Sequence, residues 1–238
     1  DILKQAGWDK GPDTFDDIIQ LSKDMKAKGI SMATYGAVPN TPTLANWLGQ
    51  LGSYVVNNSN GADATATELA CIDNGALKTF LTKWKAMYDA GALKNESLST
   101  NQFVAGKVAV FTASSSNVNS LLSKVGGKFE IGASSFLRVD SSASHGATVS
   151  GSCLVLFDSE DALKKAATWE FIKVMTGAKI QADFAAGTGY TPGHKGAVED
   201  AEYKSFIVAT PQFAVAPEQL AKTPASMRSV TVGPTVDF

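Results

Sequence analysis

The stretch GKVAVFTASSSN, residues 106–117, predicts a β-strand that leads directly into an α-helix. Apolar and polar residues alternate through Gly106–Thr112, which is the period of a half-buried strand. The next residues, Ser114–Ser116, are preferred N-cap residues, because a hydroxyl oxygen accepts hydrogen bonds from the free amides of a first helical turn. Val118 and Leu121 then continue at helical spacing. A strand that feeds a helix in this way is typical of α/β folds.

Regular patterns of apolar residues continue along the rest of the chain. Thr14, with an acid three residues later at Asp17, forms a capping-box sequence that marks the start of a helix. Between Asn74 and Gly91, six apolar positions share one helical stripe, and we expect all six in the core. They are Leu77, Phe80, Leu81, Trp84, Met87 and Tyr88. The run 149–157 is apolar at most positions and predicts a strand buried on both faces.

Strands that alternate with helices predict an α/β architecture whose sheet is at least partly parallel. Helices are predicted at 14–28, 44–51, 74–91, 160–175 and 178–185 and from 118 onward, with helical turns around 198–208 and 217–222. Strands are predicted at 30–35, 106–112, 129–133 and 149–157.

The composition excludes several classes of protein. The chain has 238 residues, with 21 Lys+Arg against 23 Asp+Glu, and its net charge of −2 argues against nucleic-acid binding, which needs a basic excess. Its 44% hydrophobic content is enough for a sizeable core. The longest apolar run, Cys153–Phe157, is far shorter than the roughly 20 residues that cross a bilayer.

The ends and the cysteines add two expectations. Asp1–Lys4 lacks the basic and apolar regions of a signal segment, and Thr235–Phe238 alternates like the interior of an element, so we expect a fragment. Cys71 and Cys153 lack the CxxC spacing of a zinc or redox site. We expect both thiols to be buried as small apolar groups.

Candidate chemistry concentrates in two turns. Ser114–Ser116 combines hydroxyls with the free amides of a helix start, a combination that suits an anionic or polyhydroxylated ligand and equally suits simple capping. The turn Gly187–Gly193 offers the Tyr190 ring for stacking, or is a plain turn. A rival interpretation is a serine hydrolase or transferase that uses Ser114 with His145 or His194, although the chain lacks a GxSxG motif.

Five short motifs occur in an order that resembles a known family. They are PDTFDD at 12–17, FVAGKVAV at 103–110, ASSS at 113–116, SGS at 150–152 and TGYTP at 188–192. In this order they resemble the extracellular solute-binding proteins of ABC importers, the family that includes maltose-binding protein. The sequences of these motifs are most similar to those of the branch that binds glycerol 3-phosphate and glycerophosphodiesters.

The resemblance implies a periplasmic-binding-protein-like class II fold that closes on a solute and delivers it to ABC permease subunits. It implies that 1–130 and 191–238 belong to the second lobe, while 131–190 crosses the hinge into a first lobe that is mostly missing. The implied protein is a monomer outside the cytoplasm, either periplasmic or lipid-anchored, with its signal segment outside this chain. It has no catalytic activity, cofactor, metal or nucleic-acid partner.

The resemblance also implies ligand-binding residues. Ser114, Gly151 and Tyr190 match ligand contacts of the family, and Asp237 stands where the closest branch has a phosphate-reading arginine. The paired tryptophans of that branch fall near Val38 and Thr41, which are not aromatic. We therefore expect a neutral sugar, oligosaccharide or polyol; a glycerophosphodiester, polyamine, metal or peptide is the alternative within this fold.

Overall fold

The computed structural model describes residues 1–94, 96, 100–224, 226 and 227. The helices are α1 (Ile2–Gln5), α2 (Phe15–Ala27), α3 (Thr41–Gln50), α4 (Asn57–Gly61), α5 (Ala70–Asp73), α6 (Ala76–Asp89), α7 (Thr100–Val104), α8 (Val118–Val125), α9 (Ala162–Met175), α10 (Ala178–Thr188), α11 (Ala201–Ala209) and α12 (Val215–Lys222). The strands are β1 (Ala33–Gly36), β2 (Leu93–Lys94) and β3 (Val108–Val110). Short 3₁₀ turns cover Ser115–Asn117, Lys195–Glu199 and Pro211–Phe213.

The chain divides into two compact units. Unit 1 comprises the described residues of 1–112, 124–149 and from 218 onward, and unit 2 comprises 113–123 and 150–217. The predicted lobes had other boundaries, 1–130 with 191–238 against 131–190. The assignment of residues to lobes stays a prediction.

Unit 1 is built on a parallel sheet of three strands in the order β2-β1-β3. Tyr35 of β1 pairs with Leu93 on one side and Val110 on the other. Parallel neighbours need long crossovers, and α3 to α6 supply one between β1 and β2, while α7 lies between β2 and β3. The predicted α/β architecture with a parallel sheet is confirmed.

The core of unit 1 is a cluster of aromatic rings centred on Trp47. The ring centroid of Trp47 lies 5.4 Å from that of Phe15, 5.3 Å from that of Phe80 and 5.2 Å from that of Trp84. Its indole N–H donates to the carbonyl of Leu137 at 3.0 Å, so the polar atom of this buried ring is satisfied. One side chain therefore joins α2, α3, α6 and the 136–137 segment.

Helix α6 confirms the predicted helix but corrects the predicted core stripe. Phe80, Trp84 and Met87 are buried, whereas Leu81 is 52% exposed and Tyr88 is 59% exposed. The successive residues Phe80 and Leu81 lie about 100° apart around a helix, so one core face takes only one of them. The prediction that Leu81 and Tyr88 are core residues is wrong.

The start of α2 forms as the sequence predicts. Thr14 Oγ1 accepts from the amide of Asp17 at 3.1 Å, and the Asp17 carboxylate accepts from the amides of Thr14 and Asp13. Both halves of the capping box are present. Local side chains thus mark where this helix begins, and the Phe15 amide additionally donates to the Arg138 carbonyl at 3.1 Å.

An ion pair attaches the 138–145 segment to the same helix start. The Arg138 guanidinium donates to the Asp13 carboxylate and also to the carbonyls of Ser141 and Ala143. The backbone amide of Arg138 donates to the carbonyl of Asp13 at 2.8 Å. The hydrogen bond from Arg138 lowers the pKa of Asp13 below its usual value of 3.8.

Unit 2 is helical and has a small core. Its core cluster consists of Ala182, Ala185, Ala197 and Tyr203, and Leu121 and Phe213 are buried as well. Helix α9 forms where predicted, yet none of its residues is buried, so the predicted amphipathic packing is not realised among the described residues. No helix among the residues described here is long and apolar enough to span a membrane.

Two predicted strands are wrong. Residues 149–157 have no regular structure and 151–157 are exposed, with Phe157 81% exposed, because the described part of the chain offers them no neighbouring strand. Cys153 in this segment is therefore exposed, while Cys71 is buried as expected, and both thiols are free. Residues 129–133 also form no strand; the Phe129 ring instead packs against Phe103, with centroids 6.0 Å apart.

The two neighbours on α6 give a direct test of the core. Phe80→Ala should lower the free energy of unfolding by about 3–5 kcal/mol, because it empties a site in the aromatic cluster. Leu81→Ala should change it by less than about 1 kcal/mol, because that side chain is half exposed. Urea unfolding followed by tryptophan fluorescence measures both. Equal losses for the two variants would contradict the assignment of the core face.

The ion pair gives a test against pH. Asp13→Asn should lower the free energy of unfolding at pH 7 by about 1–2 kcal/mol, since a charge-assisted bond is lost from a partly exposed site. The pKa of Asp13 is lower in the folded state, so its contribution is complete above the ordinary pKa and is lost as pH falls through the lower, folded value.

We therefore expect the deficit of Asp13→Asn to be constant between about pH 5 and 7 and to shrink below about pH 4. Asp16→Asn is the control, because it removes the exposed pair with Lys83 and should cost less than about 1 kcal/mol at pH 7. Urea titrations at several pH values measure both. A deficit that grows on acidification would rule out this role of Asp13.

Candidate functional site

Two turns of unit 2 contain two of the four predicted site residues, Ser114 and Tyr190. We call Ser114–Ser116 the serine turn and Gly187–Tyr190 the glycine turn. Ser114 is the N-cap of the 3₁₀ turn that precedes α8, and its Oγ accepts from the amide of Ser116 at 3.4 Å. The two hydroxyls of Ser114 and Ser116 are 3.0 Å apart and both side chains lie at the surface or near it. The predicted capping role of Ser114 is confirmed.

The glycine turn forms where α10 ends. Gly189 adopts φ +85° and its amide donates to the carbonyl of Ala185 at 2.9 Å, which closes the helix. This left-handed conformation favours glycine. The Thr188 hydroxyl donates to the Phe184 carbonyl at 2.6 Å and accepts weakly from the amide of Tyr190 at 3.3 Å.

The serine turn and the glycine turn touch each other. A Cβ atom on Gly189 would lie only 2.6 Å from the carbonyl oxygen of Ser115, so the two backbones approach more closely than any other residue allows. Asn119 Nδ2 donates to the carbonyl of Gly187 at 2.9 Å. Two backbone positions of the glycine turn are therefore fixed against the serine turn and the helix that follows it.

Tyr190 presents a partly exposed ring beside this contact. The ring is 38% exposed and its centroid lies 5.5 Å from that of Phe184, at an interplanar angle of 50°. Gly151 lies beside the same ring, since a Cβ on Gly151 would be 4.0 Å from Tyr190 Cε1. Ser114 precedes the Ser115–Gly189 contact by one residue, and Tyr190 follows it by one.

Unit 2 thus contains Ser114, Gly151 and Tyr190, three of the four predicted site residues. Asp237 lies outside the described residues. The sequence analysis did not identify Asn119 or Phe184 as part of the site. For Phe184, the one available signal was its position in an apolar helix that ends at the glycine turn. The side chains of the serine turn, the glycine turn and Gly151 carry no charge, so this surface offers hydroxyls, amides and an aromatic ring.

The carboxyl edge of the sheet in unit 1 is a second polar region. In parallel sheets, ligands bind outside this edge. There the Tyr35 hydroxyl lies 2.9 Å from Thr112 Oγ1, and burial raises the pKa of Tyr35 to about 12. Val38 follows β1 and is 48% exposed, and Thr41 opens α3.

The groups of the rival hydrolase interpretation are engaged in other contacts. The Ser114 hydroxyl bonds to Ser116, while His194 Nδ1 accepts from the amide of Gly196 at 3.0 Å. His145 belongs to unit 1, where its Nδ1 is 3.9 Å from the Asp13 carboxylate. Within the described ranges, no group of three or more His, Cys, Asp and Glu side chains is arranged to hold a metal ion.

Comparison with known proteins gives matches at the level of sequence and of fold. A family model described as bacterial extracellular solute-binding protein matches residues 1–214. The sn-glycerol-3-phosphate-binding periplasmic proteins of Yersinia pseudotuberculosis and Yersinia enterocolitica are each 23% identical over 228 residues, covering 94% of this chain and 52% of the relative. The chain thus spans about half the length of these curated relatives.

Solved structures share the fold at low identity. UgpB from Mycobacterium tuberculosis, in complex with glycerophosphocholine, is 18% identical with a TM-score of 0.69, over 94% of this chain and 55% of that one. The cyclic α-maltosyl-1,6-maltose binding protein from Arthrobacter globiformis is 17% identical with a TM-score of 0.73, over 93% and 56%. Both support the periplasmic-binding-protein-like α/β fold.

Two glycines of the glycine turn give a matched test of the close approach. Gly189→Ala should lower the free energy of unfolding of unit 2 by about 2 kcal/mol or more, because it combines left-handed strain with a collision at the Ser115 carbonyl. Gly187→Ala should be neutral or stabilising by up to about 1 kcal/mol, since no atom of the described residues lies within 4 Å of its added Cβ.

Calorimetry together with hydrogen exchange of the α10 amides measures these two effects. Faster exchange at the end of α10 is expected for Gly189→Ala alone. The same exchange rates in both variants would mean that the two turns do not touch as described.

Proposed function

The chain belongs to the bacterial extracellular solute-binding protein family, and from this premise we propose that it forms part of the solute-binding component of an ABC importer. The component captures a neutral carbohydrate or polyol and delivers it to the permease subunits in the membrane. It acts outside the cytoplasm as a monomer, either in the periplasm or lipid-anchored to the outer face of the cell membrane.

The observation that supports this proposal is the uncharged surface formed by the serine turn, Gly151 and Tyr190. Sugars present hydroxyls in the ring plane and C–H groups on the ring faces. Serine hydroxyls both donate and accept hydrogen bonds, and an aromatic ring packs against an apolar sugar face. The half-exposed Tyr190 ring and the hydroxyls of Ser114 and Ser116 supply both kinds of contact.

Charge favours a neutral solute over a phosphate ester. Phosphate recognition uses arginine or lysine, often with a bidentate guanidinium. Of the two arginines, Arg138 is fully engaged in unit 1 with Asp13 and the carbonyls of Ser141 and Ala143. The other, Arg228, lies outside the described residues. The serine turn and the glycine turn contain neither arginine nor lysine. Among the similar proteins, the cyclic α-maltosyl-1,6-maltose binding protein is therefore a better guide to the solute than those named for glycerol 3-phosphate.

Unit 2 has exposed apolar side chains of the kind that pack against further polypeptide in a whole protein. The exposed residues 151–157 and helix α9 carry many apolar side chains, including Phe157 and Trp169, without a partner in the described chain. We infer that 131–190 crosses a hinge and contributes to the first lobe. Polypeptide beyond these 238 residues would supply the packing partners of these exposed side chains, in keeping with the greater length of the relatives.

Binding then works by closure of two lobes without catalysis. A solute that contacts both walls shifts the population towards the closed form by its preference for that form. The permease distinguishes the closed form from the open one. Within this proposal Ser114 acts through hydrogen bonds, because its hydroxyl is bonded to Ser116 and His194 is bonded to Gly196.

The experiment titrates the 238-residue chain separately with maltose, tagatose and glycerol 3-phosphate. Saturation-transfer NMR monitors the binding of each compound. We expect weak binding of at least one sugar, with Kd on the order of 1 mM or above, because one wall of a cleft buries less of the ligand than an enclosed pocket does. Tyr190→Ala should weaken that binding by up to about tenfold, the loss expected for a stacked ring.

Tyr88→Ala is the matched control, because Tyr88 is an exposed tyrosine of unit 1 that lies outside the proposed site. Neither variant should shift Tm by more than a few degrees. Binding of glycerol 3-phosphate without any sugar would contradict the proposed solute class. A large fall in Tm for Tyr190→Ala with unchanged sugar binding would make Tyr190 a packing residue.

A further inference from the structure

The contact between the serine turn and the glycine turn uses neither the Ser114 hydroxyl nor the Tyr190 ring. It consists of the Ser115 carbonyl against Gly189 and of the hydrogen bond from Asn119 Nδ2 to the Gly187 carbonyl. The groups that make the contact therefore differ from the two exposed groups that the proposed function assigns to the ligand. Such a division is what a positioning role requires.

The Gly187 carbonyl has no hydrogen-bond donor within its own helix. The last four carbonyls of an α-helix have no intrahelical amide to bond. Gly187 is the penultimate residue of α10, which ends at Thr188. Asn119 Nδ2, in helix α8 and 68 positions earlier in the sequence, donates to the Gly187 carbonyl at 2.9 Å.

We propose that Asn119 is a positioning residue, which holds the end of α10 and thereby sets where the Tyr190 ring lies relative to Ser114. Gly187 is anchored by Asn119, Gly189 is buried against Ser115, and Tyr190 is the next residue. The inference deepens the proposed function and rests on it, since it concerns a ring that meets a carbohydrate. A ring fixed before binding costs less ordering entropy when the ligand arrives.

Asn117 offers a matched control on the same turn. It is exposed like Asn119 and lies two residues earlier. Its backbone amide bonds to the Ser114 carbonyl, and among the described residues its side chain makes no hydrogen bond that links the turns. Asn→Asp at either position adds the same charge near the same helix start, but only Asn119→Asp replaces a donor by a carboxylate that faces a carbonyl.

The first readout is independent of any ligand. In protein with ring-labelled tyrosine, Asn119→Asp and Asn119→Ala should shift the Tyr190 NMR signals. In a separate measurement, both variants should weaken the nuclear Overhauser effects between Gly189 and Ser115. Asn117→Asp should leave both unchanged, and Asn119→Gln, which keeps the amide donor, should restore part of the wild-type pattern. Tm should stay within a few degrees in all four variants. Unchanged Tyr190 signals in Asn119→Asp would overturn the proposal.

The second readout is the affinity for maltose as the probe. We expect a loss of about two- to fivefold in Asn119→Asp, smaller than that of Tyr190→Ala, and none in Asn117→Asp, because a misplaced ring keeps part of its stacking. An equal loss in both variants would overturn the positioning role and indicate a general effect of charge. If the wild-type chain binds neither maltose nor tagatose, the proposed function is contradicted, while the tyrosine signals still decide the role of Asn119.

Discussion

The indole of Trp47 occupies the centre of unit 1, and the other elements of that unit are arranged around it. Rings from α2 and α6 lie within 5.4 Å of it by centroid, and the Phe136 ring stacks on it at 5.2 Å. Such pairs add to the free energy gained from buried area alone. Because the indole N–H is bonded to the Leu137 carbonyl, the ring is fixed in orientation as well as in depth.

Unit 2 depends on a different kind of contact. Its core cluster combines three alanines with Tyr203, and alanine side chains bury little apolar area. Its contacts between elements include helix ends, the pairing of Lys179 in α10 with Asp200 and Glu202 at the start of α11, and the close approach of Gly189 to Ser115. The exposed apolar groups of α9 and 151–157 are consistent with a body that packs further in a longer protein.

In the candidate site, the groups that join the two turns are different from the groups that stay exposed. Backbone groups and the Asn119 amide hold the turns together, and the Ser114 hydroxyl and the Tyr190 ring stay accessible. A rigid frame of glycine contacts with uncharged groups at its surface suits a ligand recognised by hydroxyls and ring faces. It offers little to a phosphate, because no cationic side chain belongs to either turn.

The sequence by itself determined where most helices lie and how they begin and end. The capping box of Thr14, the N-cap of Ser114 and the left-handed Gly189 act over three or four residues, so each is readable without knowledge of the fold. Only the tertiary structure decided that Phe80 is buried while Leu81 is exposed, that 149–157 has no neighbouring strand in the described part of the chain, and that Asn119 contacts Gly187. These outcomes depend on partners far away in the chain, since burial and strand pairing are properties of two surfaces and a sequence pattern describes only one.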